Sequence, residues 1–188
     1  MKRGKEQSAH CLTAHRLTYD MNIVLTGFMA VGKSVVGQRL ALRLKRPFVD
    51  LDQAIEIREG ISVEQIFDRK GEAYFRKAEK ETLKGILRQD GQVIASGGGA
   101  VVDAENLNLL RQSSILVCLT APPEVLLRRS GPDNQRPLLK GDNRLKGIEQ
   151  LLKQREKAYA QAHISINTEQ LSVDEVVEKI IKAIKCKD

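Results

Sequence analysis

The chain has 188 residues, 41% hydrophobic and 29% charged, a balance that suits one globular domain with a full core and excludes a fibrous or low-complexity chain. Its net charge is +7, yet it holds no Trp and only 4% aromatics, so a stacking platform for bases is excluded and small anionic ligands are favoured over nucleic acid. No apolar run approaches the length of a membrane span, and no membrane partner is expected.

Residues 1–20 carry charges but no apolar segment of secretory type, and read as a disordered extension. A short apolar run at 23–26 reads as a strand. It leads into Gly27-Phe28-Met29-Ala30-Val31-Gly32-Lys33-Ser34, which matches the P-loop pattern, followed by a helical pattern over 35–44. Strand, glycine loop and helix form the context this motif needs. The backbone N–H groups of Gly27, Ala30, Val31, Gly32 and Val35 can cradle phosphates at the positive end of a helix dipole. Lys33 can reach the β- and γ-phosphates of ATP, and Ser34 can ligate Mg²⁺.

A second strand is expected over 48–51, ending at Asp50-Leu51-Asp52. On a strand, residues i and i+2 share a face, which aims both carboxylates at one region. Asp50 suits the metal's outer sphere and Asp52 suits a hydroxyl acceptor; solvated strand-end or helix-cap residues are the plainer alternative. Helices are expected from about Ser62, a plausible cap, and again over 71–89, where Arg76 reads by default as a surface ion-pair partner. A third strand at 93–96 opens onto Gly97-Gly98-Gly99, three residues that let a ligand approach the backbone closely.

The run 115–120 is a fourth strand, and its unbroken apolar character fits a sheet covered on both faces. Pro122-Pro123 opens a helix. The segment 130–137 is a loop rich in Gly, Pro and small polar residues; it carries Arg136, which could close over phosphates. A long helix over 144–161 contains Arg155, a fifth strand spans 164–167, and a helix over 173–185 ends the pattern. The alternation implies a parallel α/β sheet with helices on both faces. Cys11, Cys118 and Cys186 are odd in number and far apart; they suggest no disulfide framework and fit a reducing cytoplasm.

Taken together, these residues resemble the shikimate kinase family. The resemblance is carried by Gly27 to Ser34, Phe48-Val49-Asp50-Leu51-Asp52, Ile66-Phe67, Gly71-Glu72, Phe75-Arg76, Glu79, Gly97-Gly98-Gly99-Ala100, Arg136-Pro137-Leu138-Leu139, and Arg155 with Tyr159. It implies a P-loop fold of nucleoside monophosphate kinase type, with a five-stranded parallel sheet of order 2-3-1-4-5. It also implies a single domain over 21–188, with a substrate-binding helical insert at about 52–89 and a lid at about 128–142.

The activity implied is transfer of the ATP γ-phosphoryl group to the 3-hydroxyl of shikimate, by a monomer using Mg²⁺. Asp52 would bind ring hydroxyls and act as base, with Lys33 and Arg136 as the other catalytic groups. Arg76 and Arg155 would clamp the substrate carboxylate, and Gly97, Gly98 and Gly99 would line its ring. Ser34 and Asp50 would serve the metal. The family's basic residue after the last strand is absent from Asn167-Thr168-Glu169-Gln170-Leu171, which leaves Gln170, backbone groups or Arg128 for adenine. A kinase for another hydroxy acid such as gluconate is the alternative.

Overall fold

The computed structural model describes residues 20–131 and 143–186. At its centre lies β1 (Asn22–Gly27), buried along its whole length. Around it run β2 (Phe48–Asp50), β3 (Val93–Ala95), β4 (Ser114–Thr120) and β5 (Ile164–Asn167). The order is β2-β3-β1-β4-β5, and every pairing is parallel. Each parallel crossover needs a helix, and the helices cover both faces. Period-two alternation divides β1 between two cores. Ile23 and Leu25 face α1 (Lys33–Leu44) and α7 (Val173–Lys185), whereas Val24 faces the cluster of Leu51, Ile55, Ile66, Leu83 and Leu110.

All five strands end on the same side, so the segments that follow them share one edge of the sheet. The P-loop turns there with Gly27 at φ 133° and Gly32 at φ 102°, conformations that favour glycine. Lys33 is the first residue of α1, so the positive helix end faces the loop.

The second strand is shorter than expected. It stops at Asp50, which caps α2 (Leu51–Glu59) by accepting the backbone N–H of Asp52 at 3.1 Å and of Gln53 at 3.4 Å. Leu51 is therefore helical, and Asp52 lies in the first turn of α2 rather than on a strand face. An Asp that satisfies orphan helix N–H groups wins over one more residue of edge strand. The two carboxylates still line one cavity, for this different reason.

The next two expected helices form one bent element, α3 (Val63–Ile86). Ser62 caps it in a reciprocal capping box with Gln65. The bend is at Gly71, with φ 80° and ψ 169°. The helix ends at Ile86 instead of 89 because side-chain amides take the next carbonyls: Gln92 Nε2 donates to Ile86 O and Gln89 O, and Asn22 Nδ2 donates to Gln89 O. A short 3-10 turn (Ala100–Val102), α4 (Ala104–Ser113), α5 (Pro123–Arg129) and α6 (Arg144–Tyr159) complete the fold. Helix α6 stops two residues before its expected end, where the chain turns into β5. All of the expected disordered extension (1–20) except residue 20, and most of the expected lid (128–142), namely 132–142, lie outside the described residues.

The space around Gly71 is open, so only its backbone conformation resists substitution. Gly71→Ala is expected to lower stability by about 1–3 kcal/mol, read from the urea midpoint.

Candidate active site

Two cavities meet at the P-loop. The first, of about 300 Å³, is lined by Ala30, Gly32, Lys33, Ser34, Val35, Asp50, Asp52 and Ser96. Lys33 Nζ donates to Gly27 O at 3.0 Å and to Phe28 O at 3.1 Å, bracing the loop from within. Ala30 holds φ 62°, a costly conformation for a residue with a Cβ, in the turn that aims the loop's N–H groups. Ser34 Oγ donates to Asp50 Oδ2 at 2.6 Å. A hydroxyl and a carboxylate side by side are hard oxygen donors suited to Mg²⁺. Among the described residues no group of three or more His, Cys, Asp or Glu could hold a metal alone. That donor set fits an ion completed by water and nucleotide oxygens.

The second cavity, of about 440 Å³, runs from Met29 and Asp52 past Gly97, Gly98 and Gly99 to Arg76 and Arg155. Its apolar wall is Phe67 against Phe75, with ring centroids 4.7 Å apart. Arg76 comes from α3 and Arg155 from α6, 79 positions later in the chain, yet both reach the loop after β3. Arg155 Nη1 donates to Gly98 O at 3.1 Å, and the Tyr159 hydroxyl donates to the same oxygen at 2.7 Å. A Cβ on Gly99 would lie 2.6 Å from Arg76 Nη1. A Cβ on Gly97 would lie 2.6 Å from Glu79 Oε1 and 3.1 Å from Asp52 Oδ1. At Gly97 and Gly99 the charged groups occupy the space a side chain would take, and at Gly98 the limit is the Gly27 backbone oxygen, 3.0 Å from a Cβ.

The electrostatics follow from enclosure. Arg76 donates to Glu79 Oε2 at 2.8 Å and to Glu72 Oε1 at 3.0 Å. Burial alone would lower the guanidinium's pKa, but the field of Glu79 and these bonds outweigh it and hold the pKa up. Glu79 is 1% exposed, and its Oε1 is buried without a hydrogen-bond partner. Burial raises the Glu79 pKa against the pull of Arg76 and Arg155. Asp52 opens onto the cleft, yet its carboxyl is closely surrounded. That desolvation raises its pKa, opposed by Lys33 and Arg76 and assisted by Asp50 and Glu56. Burial also raises the Tyr159 phenol to about 12, so it stays a hydrogen-bond donor.

Lys33, Ser34, Asp50, Asp52, Arg76, Gly97, Gly98, Gly99 and Arg155 are therefore gathered at one edge of the sheet. Gln170 is exposed in the turn after β5, and Arg128 is exposed on α5. Its neighbour Arg129 is the residue fixed to that turn, donating to Thr168 Oγ1 at 2.9 Å and to Thr168 O at 2.8 Å. Arg136 lies outside the described residues. Sequence reasoning assigned no role to Glu79, Glu56 or the Phe67–Phe75 wall. Glu79 had a signal, standing one helical turn beyond Arg76 on the same face. Glu56 follows Asp52 by one turn, a spacing that becomes visible only once α2 is seen to begin at Leu51.

A P-loop at the edge of a 2-3-1-4-5 parallel sheet, beside a second cavity with cations at one end and a carboxylate at the other, defines a P-loop small-molecule kinase of nucleoside monophosphate kinase type. The family model described as Shikimate kinase matches residues 29–185. The chain belongs to the shikimate kinase family. A shikimate kinase of Geobacter sulfurreducens is 46% identical over 164 residues, covering 87% of this chain and 91% of the relative. One of Thermoanaerobacter pseudethanolicus is 43% identical over 162 residues, covering 86% and 95%. The solved shikimate kinase of Acinetobacter baumannii in complex with shikimate superposes with a TM-score of 0.87 at 36% identity, covering 93% of this chain and 98% of that one. A gluconokinase of Sinorhizobium meliloti, at 17% identity, TM-score 0.59 and coverage of 89% and 93%, shares the fold alone.

The raised pKa of Glu79 gives a signed expectation. The folded state holds this proton to higher pH than the unfolded state, so native stability falls as pH rises from 4.5 through the folded value. Glu79→Gln has no such proton. Its stability relative to the native chain is expected to increase across that window and then level off, as read from urea midpoints at several pH values; parallel curves would count against it.

Proposed function

We propose that the chain transfers the γ-phosphoryl group of ATP to the 3-hydroxyl of shikimate. The observation that carries this reading is the convergence of Arg76 and Arg155 on Gly98–Gly99, in a cavity that also holds Asp52 beside the P-loop lysine. A carboxylate at one end and a hydroxyl at the other match a ligand held between them. Planar guanidinium groups suit a carboxylate, which they bind through paired charge-assisted bonds. The Phe67–Phe75 wall suits the carbon face of a ring better than an open-chain polyol acid, which favours shikimate over gluconate.

In this reading the P-loop N–H groups of Gly27, Ala30, Val31, Gly32 and Val35 hold the ATP phosphates, with Lys33 neutralising the charge that develops on transfer. Arg136, from the lid proposed at 128–142, closes over the phosphates and helps exclude water. Mg²⁺, which Ser34 and Asp50 would hold, spreads the negative charge of the β- and γ-phosphates when bound. Asp52 accepts the proton of the attacking hydroxyl, and its raised pKa makes it a stronger base than an exposed aspartate. The unpartnered Glu79 Oε1 offers an acceptor to a second hydroxyl or to water. Gln170 and Arg129 border the adenine end. The whole acts as one domain, with the substrate-binding insert at 52–89, and as a cytoplasmic monomer that takes shikimate and ATP and neither nucleic acid nor membrane.

An assay coupled to ADP, offered shikimate and gluconate in parallel, tests the reading: shikimate-dependent turnover is expected, and its absence would reject it. Arg76→Ala is expected to raise the KM for shikimate about 10- to 100-fold by removing a charged anchor. Asp52→Asn is expected to lower kcat about 100-fold or more with a smaller effect on KM. Lys33→Ala is expected to cost about 100- to 1,000-fold in kcat.

A further inference from the structure

One residue ties both ends of the junction between α2 and α3. The Glu56 carbonyl accepts the N–H of Gly60 at 2.8 Å, which ends α2 in a left-handed turn at φ 71°. The Glu56 side chain then accepts the N–H of Val63 at 2.9 Å. That N–H is the first of α3, a position with no intrahelical partner. The capping box of Ser62 and Gln65 satisfies the third N–H of the helix and the N–H of Ser62, and leaves this one to Glu56. A carboxylate there also faces the positive end of the α3 dipole.

The position of this tie matters because of what it holds. Ser62, Val63, Glu64 and Phe67, all within the first turns of α3, form the outer wall of the acceptor cavity, which Glu56 itself lines. The lining continues through the glycine loop and the Arg76 and Arg155 side chains that approach it. The bond to Val63 joins α2, which carries Asp52, directly to that outer wall. Elsewhere α2 and α3 are joined by a shared core, in which Leu51 and Ile55 cluster with Ile66, Phe75 and Leu83, and by side-chain bonds outside the cavity lining: Arg58 to Glu81 at 2.6 Å and Thr82 at 3.4 Å, and Glu59 to Lys70 at 2.9 Å and Tyr74 at 2.8 Å. The polar pairs are worth little individually, but the shared core keeps the two helices together when the half-buried Glu56 tie is cut.

We infer that Glu56 is a positioning residue for the acceptor, setting the distance between the outer cavity wall and Asp52 through its bond to the Val63 N–H. The inference rests on reading this cavity as the shikimate site. It also separates Glu56 from Asp52 and Arg76, which would touch the substrate.

Three variants test it, with KM for shikimate, KM for ATP and kcat measured for each and folding checked by thermal melting. Glu56→Ala is expected to raise KM for shikimate about tenfold while leaving KM for ATP within about twofold. Glu56→Gln keeps an oxygen that can accept the Val63 N–H and is expected to recover most of that loss. Val63→Pro removes the N–H from the other partner at a first helical position, where proline fits, after a Ser62 already extended at φ −67° and ψ 157°. The double variant Glu56→Ala with Val63→Pro is expected to be no worse than the poorer single variant, because both cut one bond.

Unchanged KM for shikimate in Glu56→Ala, equal change in both KM values, failure of Gln to rescue, or additive losses in the double variant would each overturn the inference. If Glu56→Ala does not fold, the Val63→Pro and Glu56→Gln measurements decide it. A native chain with no shikimate-dependent turnover would instead overturn the underlying reading of the cavity.

Discussion

The site depends on a stretch of backbone with no side chains. Gly97, Gly98 and Gly99 follow β3 at the edge of the sheet where the P-loop also turns, and two helices far apart in sequence anchor on them. Arg155 and Tyr159 of α6 share the Gly98 carbonyl as acceptor, while Arg76 of α3 lies against Gly99. A methyl group at Gly97 or Gly99 would stand 2.6 Å from a charged atom of Glu79 or Arg76. Steric absence here performs the function that packing performs elsewhere in the core. It lets charged groups from three elements come within reach of one small cavity.

Bringing charges together under cover carries an electrostatic cost, and the arrangement around Arg76 shows how it is met. Glu72 on the solvent side and Glu79 on the buried side keep the guanidinium ionised. The other Glu79 oxygen, Oε1, has no hydrogen-bond partner within the protein and stands at the wall of the cavity, where water or a hydroxylated ligand would supply one. The neighbouring Asp52 is held by the same logic, its pKa raised by enclosure and restrained by Lys33 and Arg76. Strained Ala30, bent Gly71 and the Glu79 Oε1 atom without a protein partner all lie in the elements that build the two cavities, where local rules yield to geometry.

The fold class was legible because its signals are local, whereas the strand order came only through the resemblance to the shikimate kinase family, which the ordered set of motifs along the chain carried. A P-loop between strand and helix, unbroken apolar strands and helical periods all act over a few residues. Asp50 and Asp52 were legible as a pair, and Asp50 is both the strand end and the helix cap that the sequence allowed, but Asp52 was placed on the strand rather than in the helix, since strand and helix N-terminus compete over the same three residues. There the deciding term was the capping bonds that Asp50 accepts from Asp52 and Gln53. Helix α3 overran in the sequence reading because residues outside it take the carbonyls at and beyond its end: Gln92 takes those of Ile86 and Gln89, and Asn22 also takes that of Gln89.

The sequence by itself determined which chemical groups are present and in what order: a phosphate-binding loop, two acids, two arginines and a run of glycines. Spacing along the chain encodes that much, because propensity and motif are properties of short segments. Only the tertiary structure decided that Arg76 and Arg155 share one loop, that Glu79 keeps an oxygen free beside them, and that Glu56 joins α2 to the outer wall. Those facts depend on parallel pairing of β3 with β1 and on the packing of α3 and α6 against one sheet, contacts between residues tens of positions apart. No local pattern carries such contacts; they arise when the helices bury their apolar faces and the loops between them are brought to a common edge.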